Sequence, residues 1–108
     1  MAVRSRAKLE CTAGPLNGRM FMLAPGIYRI GKAPRTLPDS KPIVVNGDKW
    51  MSKDHAVIIV EADKVILTDP GSTNGSFVNG EKVTNKPLAN GDELRLGESI
   101  FKFTLIGT

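Results

Sequence analysis

Ser52 and His55, in the run Ser52-Lys53-Asp54-His55, are the one pairing that could activate a nucleophile, because the sequence holds a single histidine. A serine attacking a carbonyl or phosphoryl centre needs a base, a third group to orient that base, and donors for the developing oxyanion. All of these would have to converge on one short loop, so hydrolysis is disfavoured and no catalytic residue is assigned. His55 reads better as a buried ring whose two nitrogens tie neighbouring loops together. One histidine and one cysteine, Cys11, make no metal cluster of useful ligand count. Neither a GxxxxGK[ST] phosphate loop nor a GxGxxG turn occurs, so neither metal nor cofactor is expected.

The chemistry of binding is better supplied. Asp69–Gly80 reads DPGSTNGSFVNG, and within it Asn74-Gly75 and Asn79-Gly80 are strong turn signals, since both residue types tolerate the positive φ of tight turns. Only one very short strand fits between the two turns. Ser72, Thr73 and Asn74 are therefore expected at a loop tip, with hydroxyl and amide groups presented by rigid sheet on either side. Charge is uneven along the chain: residues 1–28 carry +3, 29–53 carry +4, and 54–108 carry −3. The middle segment holds Arg29, Lys32, Arg35, Lys41, Lys49 and Lys53. Such a segment attracts an anion, whether phosphate, nucleic acid or an acidic peptide. A basic β-domain binding nucleic acid is the alternative, but single strands need aromatic stacking platforms beside the basic groove. Of six aromatics, Phe21, Tyr28, Phe77, Phe101 and Phe103 fall inside expected strands, leaving Trp50 exposed. Nucleic-acid binding is accordingly disfavoured.

These groups need a scaffold, and 108 residues make one domain with a modest core. A lone cysteine rules out an intramolecular disulfide. No apolar run approaches the roughly 20 residues of a membrane helix, and MAVRSRAK lacks a signal-peptide core, so an intracellular, untargeted chain is expected. Residues 1–7 read as a flexible basic N-terminus and 8–108 as the domain. Short strands are expected at 9–12, 20–23, 27–30, 43–45, 56–60, 65–67, 77–78, 81–84, 93–96 and 101–105. Residues 31–41, with two prolines, read as a long loop without a ladder. No segment has 3.6-residue periodicity, and the pattern is that of an all-β sandwich or barrel. Five Asn-Gly pairs point to hairpins rather than crossovers.

Three separated elements coincide in order: Gly31 opening a basic loop, Ser52-x-x-His55, and Thr73-Asn74-Gly75-Ser76 followed by Val78-Asn79-Gly80. Together they resemble the forkhead-associated (FHA) domain, a phosphothreonine-peptide-binding β-sandwich, from about Ile27 to Phe103. The resemblance implies an eleven-stranded sandwich of two sheets with binding loops at one end. It further implies a non-catalytic adaptor in signalling or nuclear processes, monomeric in isolation, whose partner is a phosphothreonine-containing protein, and by family analogy a nuclear location. Carried over by residue, Ser52 and Thr73 contact the phosphate and Asn74 bonds the peptide backbone beside it. Gly31, His55, Gly75, Asn79 and Gly80 are implied to support the site.

One departure concerns the residue after Gly31, where the family usually has Arg and this chain has Lys32. Lysine keeps the charge but lacks the planar fork that grips two phosphate oxygens. Either Lys32 acts as a point charge or Arg35 replaces the fork, and Lys53 is a further cation. Trp50, two residues before Ser52, stands where the family reads peptide residues beyond the phosphothreonine.

Overall fold

The computed structural model describes residues 6–106, and eleven strands account for most of them. They are β1 (Ala7–Ala13), β2 (Met20–Leu23), β3 (Gly26–Gly31), β4 (Ser40–Val44), β5 (Ala56–Val60), β6 (Val65–Thr68), β7 (Ser76–Val78), β8 (Glu81–Val83), β9 (Asn85–Pro87), β10 (Glu93–Leu96) and β11 (Ser99–Leu105). One sheet runs β2-β1-β11-β10-β7-β8 and the other β4-β3-β5-β6-β9. This is the expected two-sheet sandwich.

Period-two patterning explains which face each strand buries. Leu94 and Leu96 on β10, Phe101 and Phe103 on β11, and Leu9 and Cys11 on β1 point inward and are buried. The unbroken apolar run of β5 fits its place at the centre of its sheet, where Ala56, Val57, Ile58 and Val60 are all buried. Burying each large aliphatic or aromatic side chain contributes about 1.5–3 kcal/mol. Burial also pushes the Cys11 thiol up from its ordinary pKa, which leaves it unreactive.

Several boundaries differ from the sequence reading. Strand β1 starts at Ala7, which is fully buried, and Arg6 donates its backbone N–H to Leu23 O, so the expected flexible start does not extend through residue 7. The remainder of that expectation, residues 1–5, lies outside the described residues. The loop expected at 31–41 spans only 32–39, because Gly31 closes β3 and Ser40 opens β4. Those two strands pair in parallel, Ile27 opposite Ser40 and Gly31 opposite Val44, so this connection is a crossover where hairpins were expected. Pro34 and Pro38 keep the intervening chain off the ladder. Strand β9, not foreseen, contains Pro87, and β4 contains Pro42; both lie at sheet edges, where a missing N–H breaks no inner ladder. Among the described residues there is no helix long and apolar enough to cross a membrane.

Topology brings two loops to one end of the sandwich, beside the start of the 32–39 connection. The 45–55 segment passes from β4 to β5 across the end of β3, which lies between them. The 69–75 segment carries the chain from β6 in one sheet to β7 in the other. Asn74-Gly75 is thus an inter-sheet corner, whereas Asn79-Gly80 is a true two-residue hairpin turn between β7 and β8, with φ of 52° and 84°.

Candidate functional site

At its C-terminal end β3 is packed directly on the 45–55 loop. Lys32 N donates to Ser52 O at 3.1 Å, Ala33 N to Lys53 O at 3.2 Å, and His55 N to Ile30 O at 2.8 Å. This approach leaves no room for a side chain at position 31: a Cβ there would lie 1.9 Å from Lys53 O. Gly31 is therefore required by contact and not by backbone conformation.

His55 joins this loop to the next. It is fully buried; Ser52 N donates to its Nδ1 at 3.0 Å, and its Nε2 lies 2.8 Å from Gly75 O. An N–H pointing at Nδ1 places the ring proton on Nε2, which then donates to Gly75 O. Both ring nitrogens are committed to backbone groups. The Ser52 hydroxyl meets a different partner, accepting from Thr73 N at 3.0 Å. The Ser-His pairing of the sequence is thus a scaffold link, without the hydroxyl-to-imidazole contact that nucleophile activation requires.

The 69–75 loop is wound around one carboxylate. Asp69 accepts from Gly71 N at 2.8 Å, Ser72 N at 2.6 Å, Ser72 Oγ at 2.5 Å and Ser76 Oγ at 2.8 Å. Burial alone would raise its pKa, but the bonds from Ser72, Gly71 and Ser76 outweigh that and hold the carboxyl below its usual value. A carboxylate with a lowered folded pKa stabilises the fold above its unfolded pKa of about 3.9, and this contribution is lost as pH falls through the folded value. We therefore expect melting curves of the parent to show an acid-limb loss beginning below about pH 4. Asp69→Asn is expected to melt lower at pH 7 and to lose part of that acid limb. An unchanged acid limb in the variant would remove Asp69 from this role.

Between the loops lies an open cleft of about 550 Å³. Its cations are Lys32, Lys49 and Lys53; its polar groups come from Ser52, Thr73 and Asn74, and among the described residues no carboxylate lines it. Trp50 forms one wall, 55% exposed. The Asn74 amide donates one N–H to Trp50 O at 3.1 Å, which joins the tips of the two loops.

Most of the residues singled out in the sequence meet here: Lys32, Trp50, Ser52, Lys53, Thr73 and Asn74 line the cleft, with Gly31, His55 and Gly75 beneath it. Arg35 does not line it, and its backbone N donates instead to Asp54 Oδ1 at 3.1 Å. Asn79 and Gly80 lie at the other end of β7, about 10 Å of strand away at 3.3 Å per residue. There Asn79 bonds Asp92 Oδ1 and Glu93 N, so it anchors the start of β10 and not the cleft. Lys49, named in the sequence only as part of the basic segment, also lines the cleft. One contributor escaped the sequence reading: Asp48, buried, accepts from Trp50 N at 3.0 Å, from Glu98 N and from Ser99 Oγ at 2.6 Å.

The FHA domain family matches residues 28–97, a stretch that begins in β3 and ends after β10, and so spans every loop of the cleft. The chain belongs to the FHA domain family. Over 100 residues this FHA domain is 36% identical to the glycogen accumulation regulator GarA of Mycobacterium tuberculosis, covering 93% of this chain and 56% of GarA. It is 33% identical to the oxoglutarate dehydrogenase inhibitor of Corynebacterium jeikeium, covering 93% and 62%. The chain thus spans little more than half the length of these curated relatives. A solved structure from a study of phosphothreonine-dependent FHA domain interactions superposes with a TM-score of 0.80 at 28% identity, covering 96% of this chain and all of that one. Both curated relatives are bacterial, and the nuclear location expected by family analogy finds no support in them.

Proposed function

We propose that this FHA domain is a non-catalytic module, working inside the cell, that holds a phosphothreonine of a partner protein in the cleft between the 45–55 and 69–75 loops. The observation that carries this is the cleft's composition: three lysines and the Ser52, Thr73 and Asn74 groups, with no carboxylate among the described residues to repel an anion. A phosphothreonine carries about −1.5 to −2 charge and three acceptor oxygens, which lysines and hydroxyls meet with charge-assisted hydrogen bonds. Ser52 and Thr73 are assigned to the phosphate and Asn74 to the peptide backbone beside it. Lys32 is assigned as the anchoring cation, because it lines the cleft and Arg35 does not.

Calorimetric titration of one peptide as phosphothreonine, phosphoserine and unmodified forms tests the reading. Binding is expected for the phosphothreonine form and not for the unmodified one. Removing a hydrogen bond to a charged group costs about 1.5–3 kcal/mol, so Ser52→Ala should weaken binding by about tenfold or more. Lys32→Ala should do the same, with Arg35→Ala close to parent. Equal affinity for phosphorylated and plain peptides would overturn the proposal, and reversed ranks of the two cations would move the anchor to Arg35.

A further inference from the structure

The two sheets differ in what they turn outward. On the outer face of the six-stranded sheet charges alternate along a row, Glu10 opposite Lys102 and Lys102 opposite Glu93, as suits a solvated face. The five-stranded sheet has no such alternation. One outward row runs Ser40, Ile27, Ile59, Ile66 and Pro87, crossing every strand from β4 to β9. The next outward row, two residues along, runs Pro42, Arg29, Val57, Thr68 and Asn85. Arg29 is the one charge in the two rows. Tyr28, Ile58 and Leu67, which lie between these rows and point inward, are buried against the other sheet, whereas Ile27, Ile59 and Ile66 are half-buried with nothing over them.

The same face holds unpaired polar groups. Among the described residues Lys64 pairs with Glu61, and no carboxylate pairs with Arg29. The Arg29 Nε is buried without a hydrogen-bond partner, and the other buried side-chain atom in that condition is Ser40 Oγ, at the end of the isoleucine row. Native structures rarely leave such atoms unpaired. An apolar surface with an unmatched cation near its middle calls for an apolar occupant that brings a carboxylate.

We propose that the outer face of the five-stranded sheet docks an amphipathic helix of a partner protein, with the helix's apolar stripe on Ile27, Ile59 and Ile66 and one carboxylate of that stripe paired with Arg29. A sheet face, unlike a sheet edge, offers no free backbone groups, so what lies on it must satisfy its own N–H and C=O groups, and a helix does so. The dimensions agree. Five strands at about 4.8 Å spacing make a row of roughly 19 Å, the length of a helix of about 13 residues, and the two rows stand about 7 Å apart, within a helix's width of about 10 Å. A second copy fits poorly, since a two-fold contact through this face would bring two unpaired guanidiniums together. A membrane surface is held by clusters of cations, and here there is one. Docking of this kind needs no phosphate and none of the cleft residues.

Two helical peptides of about 14 residues serve as probes, sharing a leucine stripe at i, i+3, i+4 and i+7 and differing at one central stripe position, glutamate in one and lysine in the other. They are titrated by NMR against the parent, Arg29→Glu and Ile59→Thr, with thermal melts showing that each variant is folded. The parent is expected to bind the glutamate probe about tenfold or more tighter than the lysine probe, with amide shifts centred on β3, β5 and β6. Arg29→Glu should reverse that order, and Ile59→Thr, which keeps a β-branched residue but removes apolar area, should weaken both probes. If Arg29→Glu melts too low to titrate, Arg29→Gln replaces it and is expected to bind the two probes alike. Equal affinity of the parent for both probes, or shifts confined to the 45–55 and 69–75 loops, overturns the inference. So does dimerisation of the parent that Ile59→Thr abolishes, which would give the face to a second copy. Binding to phosphatidylglycerol vesicles that Ile59→Thr abolishes would give it to a membrane and overturn the inference equally.

Discussion

Replacing His55 by alanine is expected to lower the stability of the domain by about 3–5 kcal/mol, the range seen when a large buried side chain is truncated. The ring is fully buried, so its loss opens a cavity, and it is the sole partner joining Ser52 N to Gly75 O across the two loops. Each of those backbone groups, left without a partner in a dry site, costs a further 1–3 kcal/mol or so unless water enters. For a domain of this size the melting temperature should fall on the order of 15 °C or more. Phosphopeptide affinity should fall with it, because Ser52 and Thr73 would no longer be held at a fixed separation. Partial replacements sharpen the test. Glutamine can restore the donor to Gly75 O and asparagine the acceptor for Ser52 N, so each is expected to recover some stability over alanine. A catalytic histidine would behave differently, with an alanine variant that melts like the parent while a hydrolytic activity disappears.

The roles of His55 and Gly31 were legible in the sequence as support, but their geometry was not. Strands with clean alternation, such as Leu94 and Leu96 or Phe101 and Phe103, could be read because a half-buried strand needs a period of two. Strand β9 could not, since Asn85-Lys86-Pro87 has no apolar residue and owes its place to β6 beside it. The parallel β3–β4 pair was equally hidden: turn residues report local geometry, and this pairing is fixed by where a long proline-containing loop returns. Asp48 gives no local signal either, because Glu98 and Ser99, two of its partners, lie fifty residues away. Asp69 was closer to readable, since an Asp followed by Pro-Gly-Ser is a pattern in which the carboxylate caps the next backbone N–H groups. Arg35 and Lys32 differ by three positions in a loop, and only the path of that loop decides which of them faces the cleft.

Gly31→Ala is expected to be the most damaging single-methyl change at the site. The added Cβ would sit 1.9 Å from Lys53 O, 2.6 Å from Lys53 C and 2.9 Å from Ser52 O. All three are backbone or backbone-bound atoms, so no side chain can swing aside; either the end of β3 or the Ser52–Lys53 segment must retreat by roughly 1 Å or more to reach ordinary van der Waals separation. The bonds that would give way are the Lys32 N to Ser52 O and Ala33 N to Lys53 O contacts, already 3.1 and 3.2 Å long. Overpacking of this kind costs about 1–3 kcal/mol in stability. Binding should suffer more than stability, because the retreat moves Ser52 relative to Lys32, and those two groups are proposed to close on one phosphate. A loss of phosphopeptide affinity on the order of a hundredfold, about 2.7 kcal/mol, corresponds to two charged hydrogen bonds misaligned at once. Gly80→Ala supplies the control. That glycine has φ of 84° with open space where a Cβ would lie, so alanine there strains the backbone by about 1–2 kcal/mol without a clash. It also lies at the far end of β7 from the cleft. The two variants should therefore lose comparable stability while only Gly31→Ala loses binding. If both bind like the parent, the contact between β3 and the 45–55 loop does not set the geometry of the phosphate site.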